Sequence, residues 1–311
     1  MRNTRSPLMI LSGLLIGSVL FLALTPGDVR AEKEAEDTAL LEKAQDSFKW
    51  ENEELYYKIK INDTEAAHAV IRIGEVRLAK GQPYVPLSAK AKSVGLFDSI
   101  YPMDDRANTF LSPMTFRPLR AEKFFKEAGK ARTYEVDYDH DNFSAKVHKI
   151  WHKTEKTPKE KERTYTRAIP GLTFDAFSWF FDLRAKEDFK PDEVHSYYID
   201  DGWKLNRVDL TVVGEERVLT PMGWFTSTRF DFTREELKAT HKKSDGKNIE
   251  PSVETRKEAK PFGSVWLSND SRRIPVKVQV VSTLGTGEVF LAKYIKPSKS
   301  KKKSASEDES K

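Results

Sequence analysis

The sequence predicts a mainly β protein: an antiparallel meander forming a strongly curved sheet or half-barrel, with one principal packed helix. Three observations predict it. Apolar and polar residues alternate with a period of two through most of the chain, the pattern of strands with one buried face. Clusters of Asn, Asp, Gly and Pro separate these runs at short intervals. One stretch, Phe174–Leu183, breaks the alternation and is apolar around nearly the whole circumference of a helix, as in a helix buried on more than one side.

The N-terminus comes first. Arg2 and Arg5 precede an apolar run, Leu8–Leu24, which Thr25-Pro26-Gly27 ends before Val29-Arg30-Ala31. This is the pattern of a signal peptide over 1–31, cleaved after Ala31. Residues 32–49 are acidic and polar with a short stripe of Leu40, Leu41 and Ala44, and read as a mobile leader or a loosely docked helix. A single β-rich domain is expected over 50–295, followed by a disordered Lys/Ser-rich tail over 296–311.

Within the domain, Leu55, Tyr57, Ile59 and Ile61 face one way, and Asn62-Asp63-Thr64 turns the chain. Ala67, Ala69, Ile71 and Ile73 continue the inward face, and Lys80-Gly81-Gln82-Pro83 turns it again. Val85, Leu87, Ala89 and Ala91 complete a third strand. Val94–Tyr101 reads as a short strand or a turn of helix, Met103–Ser112 as a loop, and Arg117–Phe125 as ambiguous, Pro118 suiting an edge or bulge. Tyr134, Val136 and Tyr138 alternate towards a turn at Asp139–Asn142, and Phe143, Ala145, Val147 and Trp151 return. Lys153–Arg163 is a solvated loop before a strand at Thr164–Ala168.

The helix is expected near Asp175–Ala185, capped by Asp175 or Thr173. Beyond it, Asp200-Asp201-Gly202 closes a hairpin between Val194–Ile199 and Lys204–Val213. Pro221-Met222-Gly223 closes another, ending in Trp224–Phe232. Arg234–Pro261 is long, polar and without period, and reads as a disordered insertion or a lid. Phe262–Tyr294 holds two or three further strands around Asn269-Asp270-Ser271 and Leu284–Gly287.

Composition narrows the function. The 311 residues are 38% hydrophobic and 32% charged, enough for a core beneath a heavily charged surface. A net charge of +5, scattered along the chain, argues against nucleic acid as a partner. The absence of cysteine excludes disulfides, thiol nucleophiles, Cys-ligated zinc and a lipid-modified N-terminal cysteine.

Few residues suggest chemistry. Asp137, Asp139 and Asp141 have the opening spacing of a calcium loop, but Asn142 and His148 stand where Gly and Glu are needed, so a hairpin turn is expected. His148 and His152, if on a strand, lie about 13 Å apart, too far for easy joint ligation. No metal, no cofactor and no catalytic residue is assigned. Ser268 and Asp270 are expected to build a turn. Arg272 and Arg273 suit an anionic head group or simple solvated pairing. Phe177, Trp179, Phe180 and Phe181 are candidates for the wall of a lipid-sized pocket, because such pockets are mostly apolar.

The run Ser264-Val265-Trp266-Leu267-Ser268-Asn269-Asp270-Ser271-Arg272-Arg273-Ile274-Pro275-Val276 resembles the C-terminal signature of the bacterial family called domain of unknown function 3108. Leu96–Tyr101, Asp175–Arg184 and Glu216–Phe225 resemble its other segments in order, over roughly residues 50 to 295. The resemblance implies a protein exported by Gram-negative bacteria, hence periplasmic, with no assigned activity and no catalytic residues to carry over. By analogy its plan is similar to the half-barrel lipoprotein carriers of the periplasm. The expectation is therefore a non-enzymatic envelope protein binding a lipid or other apolar ligand. The alternatives are an envelope hydrolase acting on glycan or peptide through Asp104 and Asp105, or a structural partner of an outer-membrane protein.

Overall fold

The structure, a computed structural model, describes residues 26–156, 158–240, 243–244, 247–248, 251–282 and 285–296. The apolar run Leu8–Leu24, the tail beyond Lys296 and part of the Leu284–Gly287 turn lie outside them. The chain forms two compact units, 1–39 and 40–311. The described part of the first is helical, the opening turns of α1 (Pro26–Ser47), and includes the expected cleavage point after Ala31. The second contains the last turns of α1, where Ala44 is buried, and all that follows.

That second unit is mainly β. β1 (Glu54–Ile61), β2 (Thr64–Ile73), β3 (Arg77–Ala79) and β4 (Gln82–Ser93) lead to α2 (Gly95–Ile100). β5 (Asp104–Leu111), β6 (Pro118–Glu127), β7 (Lys130–Asp139), β8 (Ser144–Trp151) and β9 (Lys161–Ala168) follow. β10 (Thr173–Asp175), α3 (Trp179–Ala185), β11 (Val194–Asp200), β12 (Leu205–Thr220) and β13 (Gly223–Thr240) come next. β14 (Lys243–Ser244) and β15 (Lys247–Asn248) pair with each other, before β16 (Ser252–Ser268), β17 (Pro275–Ser282) and β18 (Gly285–Ile295).

One sixteen-stranded sheet results, in the order β10-β11-β12-β13-β16-β17-β18-β1-β2-β4-β5-β6-β7-β8-β9, with β3 paired to β4 off this path. The first and last strands, β1 and β18, pair at its middle, with Leu55 opposite Tyr294. From there the chain meanders to the β9 edge, and residues 169–172 carry it to β10 at the opposite edge. In a flat sheet those edges would stand about 65 Å apart at ~4.8 Å per strand. Four residues reach only about 18 Å. The sheet must therefore curl until its edges approach, and it does so without closing. Arg167 of β9 forms an ion pair with the buried Asp200 of β11 across the gap.

Local rules account for the hairpins. Asn62 and Asp63 both take positive φ, +47° and +65°, which turns β1 tightly into β2. Pro118 opens β6, where a missing N–H is tolerated. Three expectations change. Met103–Ser112 is a strand, β5: its buried positions are Ala107, Thr109 and Leu111, whose mixed character hides the alternation. Arg234–Pro261 is neither insertion nor lid over most of its length. Residues 234–240 and 252–261 extend β13 and β16 as a paired ribbon. Its strands carry charges on both faces, so no apolar period shows. Glu236 meets Arg256 at 3.3 Å and Lys257 at 3.5 Å.

The third concerns the helices, of which there are three among the described residues. α3 stands where the principal helix is expected but starts later, because Thr173–Asp175 pairs in parallel with Tyr198–Asp200 of β11. It is buried on two sides, as its all-round apolar sequence requires. Trp179 and Leu183 pack with Tyr197, Leu210 and Phe230, and Phe181 packs with Phe48, Trp50 and Leu87.

Candidate functional site

The turn into α3 is held by Asp175, which is fully buried. Its Oδ1 accepts the N–H groups of Phe177 (3.1 Å) and Ser178 (2.7 Å), and its own N–H donates to Ser178 Oγ (2.9 Å). This reciprocal pair closes the turn that leads into α3, whose N-cap residue, Ser178, makes no side-chain capping hydrogen bond. Thr109 of β5 donates to Asp175 Oδ2 (2.6 Å), tying the helix start to the sheet. Thr173 instead donates to the Pro170 carbonyl.

Anchored there, α3 and the turn before it cover a cavity of about 360 Å³ on the inner face of the sheet. Phe177, Phe180 and Phe181 form one wall. The floor opposite is built largely from small side chains, Ala69 of β2, Ala89 and Ala91 of β4, and Ala107 of β5, with Leu55, Ile71 and Leu87 beside them. Ala89 faces Ile71 on one side and Ala107 on the other in the ladder. Four alanines where larger residues would meet the helix leave the space, whose size and apolar lining suit an acyl chain.

A few charged side chains reach the lining. Arg184 of α3 is buried and donates to both oxygens of buried Glu53 (2.7 and 3.0 Å) and to the carbonyl of Arg272 (2.9 Å). It lies over the rings of Trp50 and Phe181. Burial pushes the Glu53 carboxyl above its ordinary value, opposed by the Arg184 guanidinium. Asp105, half-buried on β5, is pushed up to about 7, first by burial and then by the neighbouring Glu127 carboxylate, against the N–H of Lys126 at 3.0 Å. Asp104, its neighbour in sequence, is held below the usual range by a hydrogen bond from Arg106. Lys123 of β6 completes this polar set with Asp201, whereas Lys90 and Arg106 border the cavity from strand positions whose side chains alternate to the exposed face.

Of the residues singled out in the sequence, Phe177, Phe180 and Phe181 lie together on the cavity. Trp179 is absent from its lining; it stacks on Phe180 (3.8 Å between centroids) and packs against Tyr197 in the core. Arg272 and Arg273 are also absent from it. Arg272 pairs with Asp270 and lies over Tyr294, and Arg273 donates to the Glu187 carbonyl and lies over Phe189. Ser268 and Asp270 build the turn: Ser268 Oγ donates to Asp270 Oδ1 and accepts the N–H of Ile274.

Elsewhere, Asp139 accepts two hydrogen bonds from Asn142 in its hairpin turn, and Asp137 pairs with Arg120 at 2.8 Å. His148 meets Glu162 (3.0 Å) and His152 meets Thr133 (2.6 Å). Among the described residues no three His, Asp or Glu side chains gather as metal ligands would.

A family model, protein of unknown function DUF3108, matches residues 55–292. The chain belongs to this family. The DUF3108 match runs from β1 into β18 and so contains all the strands and the helix that bound the cavity. No curated protein matches the sequence. Among solved structures, a beta-barrel-like protein of domain of unknown function DUF1849 from Brucella abortus is similar at 11% identity and a TM-score of 0.46, over 81% of this chain and 100% of its own. A protein from Bacteroides fragilis, described as exported and YmcC-like in fold, has 10% identity and a TM-score of 0.33, over 80% of this chain and 98% of its own. The hypothetical lipoprotein YmcC of Escherichia coli has 8% identity and a TM-score of 0.26, over 88% and 97%.

Proposed function

We propose that this protein is a non-enzymatic, exported envelope protein that holds an apolar, lipid-like ligand in the cavity under α3. The observation that carries the reading is the pairing of an aromatic wall, Phe177, Phe180 and Phe181, with an alanine floor around about 360 Å³. A core built only for stability fills such a space with side chains. The N-terminal pattern ending at Ala31 supports export with cleavage, and the periplasm is the compartment we assign. A carrier there would receive or deliver its ligand at a membrane, so an outer-membrane protein partner belongs to the same proposal. Native mass spectrometry of protein purified from its own envelope tests it. A co-purified species of lipid mass is expected, and consistently ligand-free protein would count against it.

The hydrolase reading has one observation in its favour. Asp105 lines the cavity with its carboxyl pushed up to about 7, a value suited to a general acid. Asp104 does not complete a pair with it, being held by Arg106 at 3.0 Å. Turnover of a glycan or peptide substrate that disappears in Asp105→Asn would establish this reading over the carrier.

A further inference from the structure

We propose that the cavity takes a single-chain amphiphile with an anionic oxygen head, a long-chain carboxylate, its head on Lys123 and its chain along the Phe177 and Phe180 wall. The inference rests on the cavity being an apolar ligand site. Lys123 stands on β6 between Ala107 of β5 and Tyr134 of β7, and reaches the cavity lining. It is 2% exposed, yet its Nζ has no hydrogen-bond partner among the described residues. Burying an ammonium without hydrogen bonds is among the costlier arrangements in a protein.

Asp200, also buried, attracts the Lys123 charge, and Asp175 pairs with it as counter-charge without supplying the missing hydrogen bond. The Asp175 Oδ2 lies 3.8 Å from Nζ, beyond hydrogen-bond reach, and already accepts the Thr109 hydroxyl. Its Oδ1 is taken by two backbone N–H groups. Asp201, also on the lining, turns Oδ1 to the N–H groups of Trp203 and Lys204. An ammonium has three donors and no acceptor, so what Lys123 lacks is an oxygen. A neutral head supplies the oxygen alone. A carboxylate supplies it with charge, and charge-assisted hydrogen bonds are roughly twice as strong as neutral ones.

Displacement of a fluorescent fatty-acyl probe by dodecanoate, dodecanol and dodecylamine, which share one chain, tests this. Wild type should bind dodecanoate about ten-fold or more tighter than dodecanol, and dodecylamine most weakly. Lys123→Met should abolish the preference for acid over alcohol while leaving dodecanol binding nearly unchanged. Equal binding of acid and alcohol by the wild type, or a preference that survives in Lys123→Met, would overturn the head-group assignment and leave the apolar site standing. Failure of the probe and all three compounds to bind would overturn both. Should the variant not fold, the wild-type series decides alone.

Discussion

Arg184 and Glu53 set the behaviour of the cavity wall at the scale of single residues. Both are buried, and each supplies most of the other's counter-charge. Removing one leaves an uncompensated buried charge, so Glu53→Leu should lose about 3–5 kcal/mol in urea denaturation. Glu53→Leu with Arg184→Met should recover part of that loss, because the pair's desolvation is then relieved too. Asp105 carries a second prediction. Its carboxyl is raised from 3.8 to about 7, so the native state holds the proton more tightly than the unfolded chain. The stability it contributes is complete below about pH 3.8 and is lost as pH rises through about 7, with no further change above. Asp105→Asn should flatten this fall, measured as unfolding free energy against pH. A fall of undiminished size in the variant would assign it to other groups.

At the scale of elements, α3 has two faces with different work. Trp179, 7% exposed, packs away from the cavity, whereas Phe180 is half-buried and faces it. Trp179→Ala should lose about 3–5 kcal/mol by chemical denaturation and leave acyl-probe affinity largely intact. Phe180→Ala should lose less stability and weaken the probe. The reverse pattern would move the site to the other face of α3. The position of this helix was legible because a run apolar on all sides fits neither a half-buried strand nor a surface helix. Its later start was not, since β10 depends on a parallel pairing with β11 that no local pattern announces. β5 and the outer parts of β13 and β16 were missed for related reasons. One buries Ala and Thr beside polar residues, and the others expose charges on both faces. The cavity floor was half visible. Ala69, Ala89 and Ala91 read as an inward face, but the space they leave exists only once β2, β4 and β5 lie side by side under α3. Lys123, inward between Ala121 and Phe125, was a signal in a stretch read as ambiguous. Arg272 takes the simple pairing open to it in sequence, with Asp270 two residues away, whereas the Glu187 carbonyl that Arg273 meets becomes its neighbour only in the fold.

For the β domain as a whole, one sheet pairs its terminal strands at the centre and brings its edges together by curling, so the alanine floor faces inward under the aromatic helix. The proposed ligand site rests on that enclosure. The most direct test is to fill the space. Ala89 is buried on the floor and faces the cavity, so Ala89→Phe places a ring where the ligand's chain would lie. Fluorescence titration of a fatty-acyl probe should give saturable binding by the wild type and little or none by Ala89→Phe. The variant should keep a wild-type circular dichroism spectrum, since the added ring enters existing space. Absence of saturable binding by the wild type, or undiminished binding by a folded Ala89→Phe, would contradict a ligand site under α3.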